Sequence, residues 1–171
     1  MTVLEPPRSS PSRLATLTEA VARLDGLVAR MPPSLVSIGL RFALAFPFFR
    51  SGLTKWDAPL VLSGSATFLF HEEFRLHLLG FEVPYPFPDL MAFASGSAEI
   101  VLPILLVLGL ATRFAALGIL VMTAVIQLTV PDGWEAYHLP WAAMAGALTI
   151  VGPGRVALDA LVGRLLAHRS R

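Results

Sequence analysis

A single acidic residue interrupts a long apolar segment in the middle of this chain. The segment, residues 91–111, reads MAFASGSAEIVLPILLVLGLA, and its one charged member is Glu99. A helix of about 20 residues, rising about 1.5 Å at each, matches a bilayer hydrocarbon core of about 30 Å. A carboxylate inside such a helix is unfavourable unless it is paired, protonated or turned toward a wet interior. The segment therefore predicts a membrane-spanning helix, and folding alone gives no reason to keep Glu99 within it.

The composition extends this prediction to the whole chain. Of its 171 residues, 55% are hydrophobic and 15% are charged, whereas soluble domains average about 25% charged residues. We therefore predict an all-α fold, an integral membrane four-helix bundle with flanking cytoplasmic amphipathic helices. The net charge of +1 leaves no basic footprint for nucleic acid, so the lipid bilayer is the expected partner. The absence of cysteine excludes thiol chemistry, and any redox role then needs a bound cofactor or a redox partner.

The chain divides into a membrane domain, residues 34–153, with a shorter region on each side. Residues 1–13 are polar and proline-rich, and we expect a disordered tail without the apolar stretch of a cleavable signal peptide. Residues 14–33 carry apolar side chains three or four positions apart, which predicts an amphipathic helix on the membrane surface or, alternatively, one that docks onto a partner. Residues 154–171 repeat this pattern with basic residues. The predicted spans are about 34–56, 89–110, 112–130 and 134–151.

The basic residues predict the orientation of these spans. They concentrate in both flanking regions and at Arg113 in the tight turn between the second and third spans, while the connection 131–138 has neither Lys nor Arg. Because cytoplasmic loops carry the excess of Lys and Arg, both termini are expected in the cytoplasm. The aromatic residues that suit a membrane interface fall at the opposite ends of the spans: Trp56, Tyr85, Trp134, Tyr137 and Trp141.

Counting residues along the spans brings several polar side chains to similar depth. Measured from the outer ends, Arg50 lies roughly 10 Å deep, Glu99 roughly 15 Å and Gln127 roughly 5–8 Å. His138 begins the fourth span, and Lys55 lies at the mouth of the space between them. We therefore predict a ligand cavity lined by Arg50, Lys55, Glu99, Gln127 and His138, with Glu99 as the candidate catalytic residue.

The expected partner of Glu99 is Arg50, and a purely structural ion pair between them is the alternative to a ligand site. Glu99 shares one face of its helix with small residues that let helices approach closely: Ala92, Ser95, Gly96 and Pro103. Arg41, nearer the cytoplasmic end and on another face, is expected to extend to the lower interface.

The long connection at 57–88 contains a short helical pattern around residues 66–79, including HEEFRLH at 71–77. Its two histidines are six positions apart and leave a common helical face, so they do not fit the His-Glu-x-x-His zinc arrangement. We expect no metal site there. Pairs four positions apart, Glu73 with His77 and His71 with Arg75, explain the segment as a solvated helix.

Three stretches together resemble the DoxX family of small bacterial membrane proteins: LRFALAFPFFRSGLTKW in the first span, AEIVLPILLVLGLATRFAAL from the second into the third, and GPGRVALD at 152–159. The resemblance implies a multi-pass protein of the bacterial inner membrane. Relatives in the family include a subunit of an archaeal thiosulfate:quinone oxidoreductase and membrane partners of oxidative-stress enzymes. The family supplies no settled catalytic residue to transfer.

Three functions follow as hypotheses. In the first, the protein is a redox-linked, quinone-associated membrane subunit, and if it is an enzyme it is part of a quinone-linked oxidoreductase. In the second, it is a non-catalytic membrane anchor or assembly partner for a soluble enzyme. The third is a pathway for a small solute or protons.

Overall fold

The computed structural model describes residues 13–169, so most of the predicted disordered tail lies outside the described residues. The chain forms two units, residues 1–32 and 33–171. The first contains helix α1, Arg13–Ala29. Its apolar stripe is exposed to solvent, with Leu17, Val21 and Leu24 each more than 60% accessible.

The second unit contains the remaining elements. Its helices are α2 (Pro33–Leu53), α3 (Gly64–Phe68), α4 (Pro88–Leu108), α5 (Thr112–Thr129), α6 (Leu139–Val151) and α7 (Leu158–Arg169). Its strands are β1 (Trp56–Ala58), β2 (Val61–Leu62), β3 (Arg75–Leu78) and β4 (Phe81–Pro84). Helix α3 continues into a π-helical turn at Leu69–Glu73.

Helices α2, α4 and α5 are long and apolar enough to cross a membrane, and they coincide with three of the predicted spans. The predicted span 134–151 is divided into a π-helical turn, Trp134–His138, and α6, which has 13 residues. The described chain is thus mostly helical and has three candidate membrane-spanning helices.

These helices pack in a closed order, since α2 contacts α4 and α6, and α5 contacts the same two helices. The buried centre is formed by Leu44, Phe48, Leu106, Ile119 and Leu148. Small residues mark the closest approaches, as expected where backbones pack tightly. At Gly52 of α2, an added Cβ would lie 3.0 Å from the carbonyl carbon of Glu99.

The connection between α2 and α4 departs from the all-α prediction, because it contains two antiparallel β-hairpins, β1–β2 and β3–β4. The second hairpin turns at Leu79 and Gly80, both with positive φ, the backbone that matches the twist of a two-residue hairpin. We call the side of the packed helices that carries these hairpins the hairpin end.

The expectation of a helix through HEEFRLH was therefore wrong. The chain becomes extended at Phe74 (φ −74°, ψ 127°), and alternation from Arg75 onward favours a strand over a helix. His77 now lies opposite Glu82 on β4, at 3.6 Å between Nε2 and Oε1, rather than beside Glu73. The Nε2 of His71 lies 2.9 Å from the carboxylate of Asp89 at the start of α4.

At the opposite side of the bundle, residues 152–159 fold back over the turn between α4 and α5. We call this region, with Arg41, Gly109 and Asp159, the clasp. The guanidinium of Arg41 donates hydrogen bonds to the carbonyl oxygens of Val107 (3.2 Å), Pro153 (3.1 Å) and Val156 (3.3 Å).

Arg41 is only 4% exposed, so the expectation that it extends to the membrane interface was wrong. The carbonyls at the end of a helix and in tight turns have no helical donor. In this protein three such carbonyl oxygens accept hydrogen bonds from Arg41. The guanidinium therefore bonds to backbone carbonyls inside the protein and not to lipid headgroups or water at the interface.

Asp159, in the first turn of α7, completes the clasp. Its carboxylate accepts from the backbone N–H groups of Ala111 (2.7 Å) and Thr112 (2.9 Å), and its own N–H donates to the carbonyl of Gly109 (2.9 Å). The carboxylate thus satisfies N–H groups at the start of α5 that a helix leaves unpaired, as an N-cap side chain does. Here the capping residue lies almost fifty positions away in sequence.

Gly109→Ala is expected to destabilise the protein by about 2–4 kcal/mol, from the left-handed backbone and from crowding. Gly109 has φ +68°, and an added Cβ would lie 2.5 Å from Nη1 of Arg41 and 2.6 Å from Cβ of Ala157. Denaturant titration in detergent micelles measures the change. Gly146→Ala in α6 is the control, since a Cβ there meets nothing within 4 Å; equal losses in both variants would contradict the steric argument.

Candidate functional site

The partner of Glu99 is Lys55. The ammonium Nζ lies 2.7 Å from Oε2 of Glu99, and the two side chains are 13% and 4% exposed. Ser95, one turn earlier on α4, donates to Oε1 at 3.0 Å, and Nζ also donates to Oγ of Ser51 at 3.2 Å. The buried carboxylate is therefore paired and hydrogen-bonded through both of its oxygens.

The expected pairing of Glu99 with Arg50 was wrong, because Arg50 lies on a face of α2 that is turned away from Glu99 on α4. Gly52 is the residue of α2 that touches Glu99. Arg50 precedes it by two positions, which turns its side chain by about 200° around the helix. Lys55 lies in the turn that follows α2, where its backbone N–H donates to the carbonyl of Gly52 at 3.1 Å, and this turn brings its side chain back to the side of Glu99. Arg50 is exposed, with its guanidinium 6.0 Å from the ring centre of Phe46.

The Lys55–Glu99 pair forms part of the wall of a cavity of about 500 Å³. The rest of the wall is mostly apolar and strongly aromatic, and it comes from α2, the connection, α4, α5 and α6. Its aromatic members are Phe48, Phe70, Phe74, Tyr85 and Trp141. Polar groups near the pair are the hydroxyls of Ser51 and Ser95.

Residues of both α4 and α5 line the cavity. Gly118 of α5, one of the lining residues, packs against Leu102 of α4, where an added Cβ would lie 3.0 Å from a methyl of Leu102. Towards the hairpin end the small residues Ala94 and Ala98 of α4 line the cavity opposite Val121 and Val125 of α5. A cavity walled by residues of two candidate membrane-spanning helices suits an apolar ligand.

Gln127 and His138 form a second polar pair, separate from the first. Nδ1 of His138 lies 2.7 Å from Oε1 of Gln127, whose amide nitrogen donates to the carbonyl of Pro131 at 3.1 Å. Neither residue lines the cavity. Trp141 lies between, with its ring centre 5.5 Å from that of His138 and 4.8 Å from that of Phe48.

Of the five residues predicted to share a cavity, the structure thus brings two to it, Lys55 and Glu99. Gln127 and His138 meet each other behind Trp141, and Arg50 faces outward. Sequence reasoning missed the hydrogen bond from Ser95, although its position one turn before Glu99 was a usable signal. It also missed Trp141 as a wall residue, because its interfacial position suggested only a membrane belt.

Within residues 13–169, no group of three or more His, Asp or Glu side chains is arranged to hold a metal ion. The chemistry that the cavity offers is an ammonium and a carboxylate beside an apolar, aromatic surface. These groups can donate a hydrogen bond to a ligand oxygen and exchange a proton with it.

Three apolar helices around a buried ion pair define a helical membrane protein. The chain belongs to the DoxX family, whose family model matches residues 36–132. A protein of Haemophilus influenzae, described as uncharacterized, is 28% identical to it over 143 residues, which cover 77% of this chain and 85% of the relative. No solved structure gives a significant match.

Proposed function

We propose that this DoxX protein is a quinone-associated, redox-linked subunit of the bacterial inner membrane. In this proposal α6 and the preceding π turn form the fourth crossing, and both termini face the cytoplasm. The apolar stripe of α1 and the basic helix α7 then lie along the membrane surface. A soluble or membrane-bound redox partner supplies or removes electrons, because the chain has no cysteine and so no thiol pair of its own.

The observation that carries the proposal is the position of an ion pair in the wall of an aromatic cavity. A quinone head group is a flat apolar ring with two carbonyl oxygens, and ligand sites of this kind combine apolar walls with a few placed polar groups. The ammonium of Lys55 has three N–H donors. In the described chain Glu99 and Ser51 engage two of them, which leaves one for a ligand carbonyl.

A bound quinone would take up two electrons and two protons on reduction. Lys55 would orient the ring through a hydrogen bond to one oxygen. Glu99 would hold or release a proton at Oε2, and Ser95 would keep its carboxylate in place through Oε1. The aromatic wall would exclude water from the ring.

The test is binding of a short-chain benzoquinone to the purified protein in detergent, followed by quenching of tryptophan fluorescence, since Trp141 lines the cavity. We expect saturable quenching. Glu99→Gln or Lys55→Met should raise the Kd for the quinone by roughly tenfold or more, because each removes one charge-assisted contact. Glu135→Gln is the matched control, because this glutamate is exposed at the same end of the bundle. Binding that is unaffected by either cavity variant would contradict the proposal.

A non-catalytic membrane anchor is the second candidate. It is favoured by the hydrogen bonding of Glu99, because both carboxylate oxygens already have donors within the protein, the ammonium of Lys55 and the hydroxyl of Ser95. In that case the pair serves helix packing alone. Its variants would then change stability and leave quinone quenching absent in every form of the protein.

A further inference from the structure

Arg50 is a cation on the outside of a candidate membrane span. It lies in the last turn of α2, three residues, or about 4.5 Å, before the helix ends. Within the described chain, no carboxylate lies within 4.0 Å of its guanidinium. An arginine at this depth reaches the headgroup region while its stem stays against apolar surface.

An apolar groove includes the α2 residues Phe46 and Phe49, four positions and one position before Arg50. It has a volume of about 670 Å³ and runs along the outer side of α2 and α4. Its wall consists only of apolar residues: Phe42, Ala43, Ala45, Phe46, Phe49, Pro103, Ile104 and Val107. Along α2 it extends from position 42 to 49, about 10 Å at the helical rise.

The cation and the groove share one side chain. The guanidinium of Arg50 lies over the ring of Phe46 at 6.0 Å, and Phe46 is 65% exposed and lines the groove. Arg50 therefore supplies an exposed cation near one end of the groove. Near the other end, the guanidinium of Arg41 is buried and already donates to the carbonyl of the wall residue Val107. This polarity matches a molecule with an anionic head and an apolar chain.

We propose that Arg50 and this groove bind a phospholipid, with its phosphate on the guanidinium and one acyl chain between α2 and α4. Arginine binds phosphate oxygens through paired N–H donors. Phosphatidylglycerol is favoured over a zwitterionic lipid, because its headgroup carries no ammonium cation that would repel the guanidinium and compete with it for the phosphate. The inference needs only that α2 and α4 cross the membrane, and it is independent of the quinone proposal.

The position of Arg50 at the end of α2 also stabilises that helix through its dipole. That role requires a positive charge but no groove. A second copy of the chain would fill the groove as well, but it would place two Arg50 side chains close together or leave them without an anion. The charge therefore favours lipid over self-association.

Native mass spectrometry of the delipidated full chain, titrated with phosphatidylglycerol, tests the proposal. We expect one lipid to bind more tightly than all others, and Arg50→Gln to weaken that step roughly tenfold through loss of the charged contact. Ala43→Phe fills the groove from an exposed position and should weaken it to a similar extent. Diacylglycerol, which has the chains without the phosphate, should bind the wild type no better than Arg50→Gln binds phosphatidylglycerol.

Arg155→Gln is the control, because Arg155 is exposed in the clasp at the opposite side of the bundle. Unchanged lipid binding in both Arg50→Gln and Ala43→Phe would overturn the proposal. So would a species of twice the chain mass that Ala43→Phe abolishes, since this result assigns the groove to a second copy of the protein.

Discussion

Lys55→Met is expected to lower the free energy of unfolding by about 3–5 kcal/mol, the usual cost of leaving one member of a buried ion pair without its partner. The Oε2 of Glu99 lies 2.7 Å from the ammonium of Lys55, and the Glu99 side chain is only 4% exposed. Without Lys55, few water molecules can therefore reach the carboxylate to stabilise its charge. The double variant Lys55→Met/Glu99→Met should recover much of this loss. Replacing a whole buried pair by apolar side chains of similar size is often nearly neutral.

Denaturant titration in detergent micelles of the wild type, Lys55→Met, Glu99→Met and the double variant gives the coupling energy between the two positions. The exposed pair His77–Glu82, with side chains 39% and 69% accessible, supplies a matched control cycle. Its coupling should stay below about 1 kcal/mol. A double variant as unstable as the sum of the two single variants would show that Lys55 and Glu99 do not act as a pair.

Arg41→Met is expected to destabilise the protein by about 3 kcal/mol. Hydrogen bonds from a charged donor contribute about 1.5–3 kcal/mol each, and Arg41 makes three of them. The sum is reduced because burial of the cation is itself costly. In the described chain its Nε has no hydrogen-bond partner.

Arg50→Met is the control for this prediction, since it makes the same change on the same helix at an exposed position. In delipidated protein its effect should be within about 1 kcal/mol, as for surface substitutions. A loss no larger for Arg41→Met than for Arg50→Met would mean that the three carbonyls find other donors and that the clasp contributes little.

The three candidate spans α2, α4 and α5 were predictable because each depends on a local property, the length of an apolar run. The face of α4 was also predictable, since Ala92, Gly96, Glu99 and Pro103 recur at helical spacing and are buried. The choice between Arg50 and Lys55 was not, because it depends on the rotation of α2 relative to α4. Depth alone placed both cations near Glu99. The contact at Gly52, where only a small residue fits, is the feature that decides it.

The hairpins and the clasp escaped prediction for a different reason. Pairing in β3 and β4 depends on a turn with positive φ at Leu79, a residue that rarely adopts such a backbone. The capping of α5 by Asp159 joins residues almost fifty positions apart, and no local pattern signals that contact. Residues 152–159 resemble the DoxX family, but this resemblance does not indicate which residues the segment contacts.

The clasp also has a consequence for the order in which the protein is completed during synthesis. Arg41 belongs to the first candidate span, but its acceptor at Pro153 follows it by 112 residues. At about 5–20 residues per second, a ribosome needs roughly 6–22 s to add that length of chain. During this interval the guanidinium has to be accommodated by water, lipid headgroups or the insertion machinery. A segment made more than a hundred residues later therefore completes the hydrogen bonding of a charge in the first candidate span.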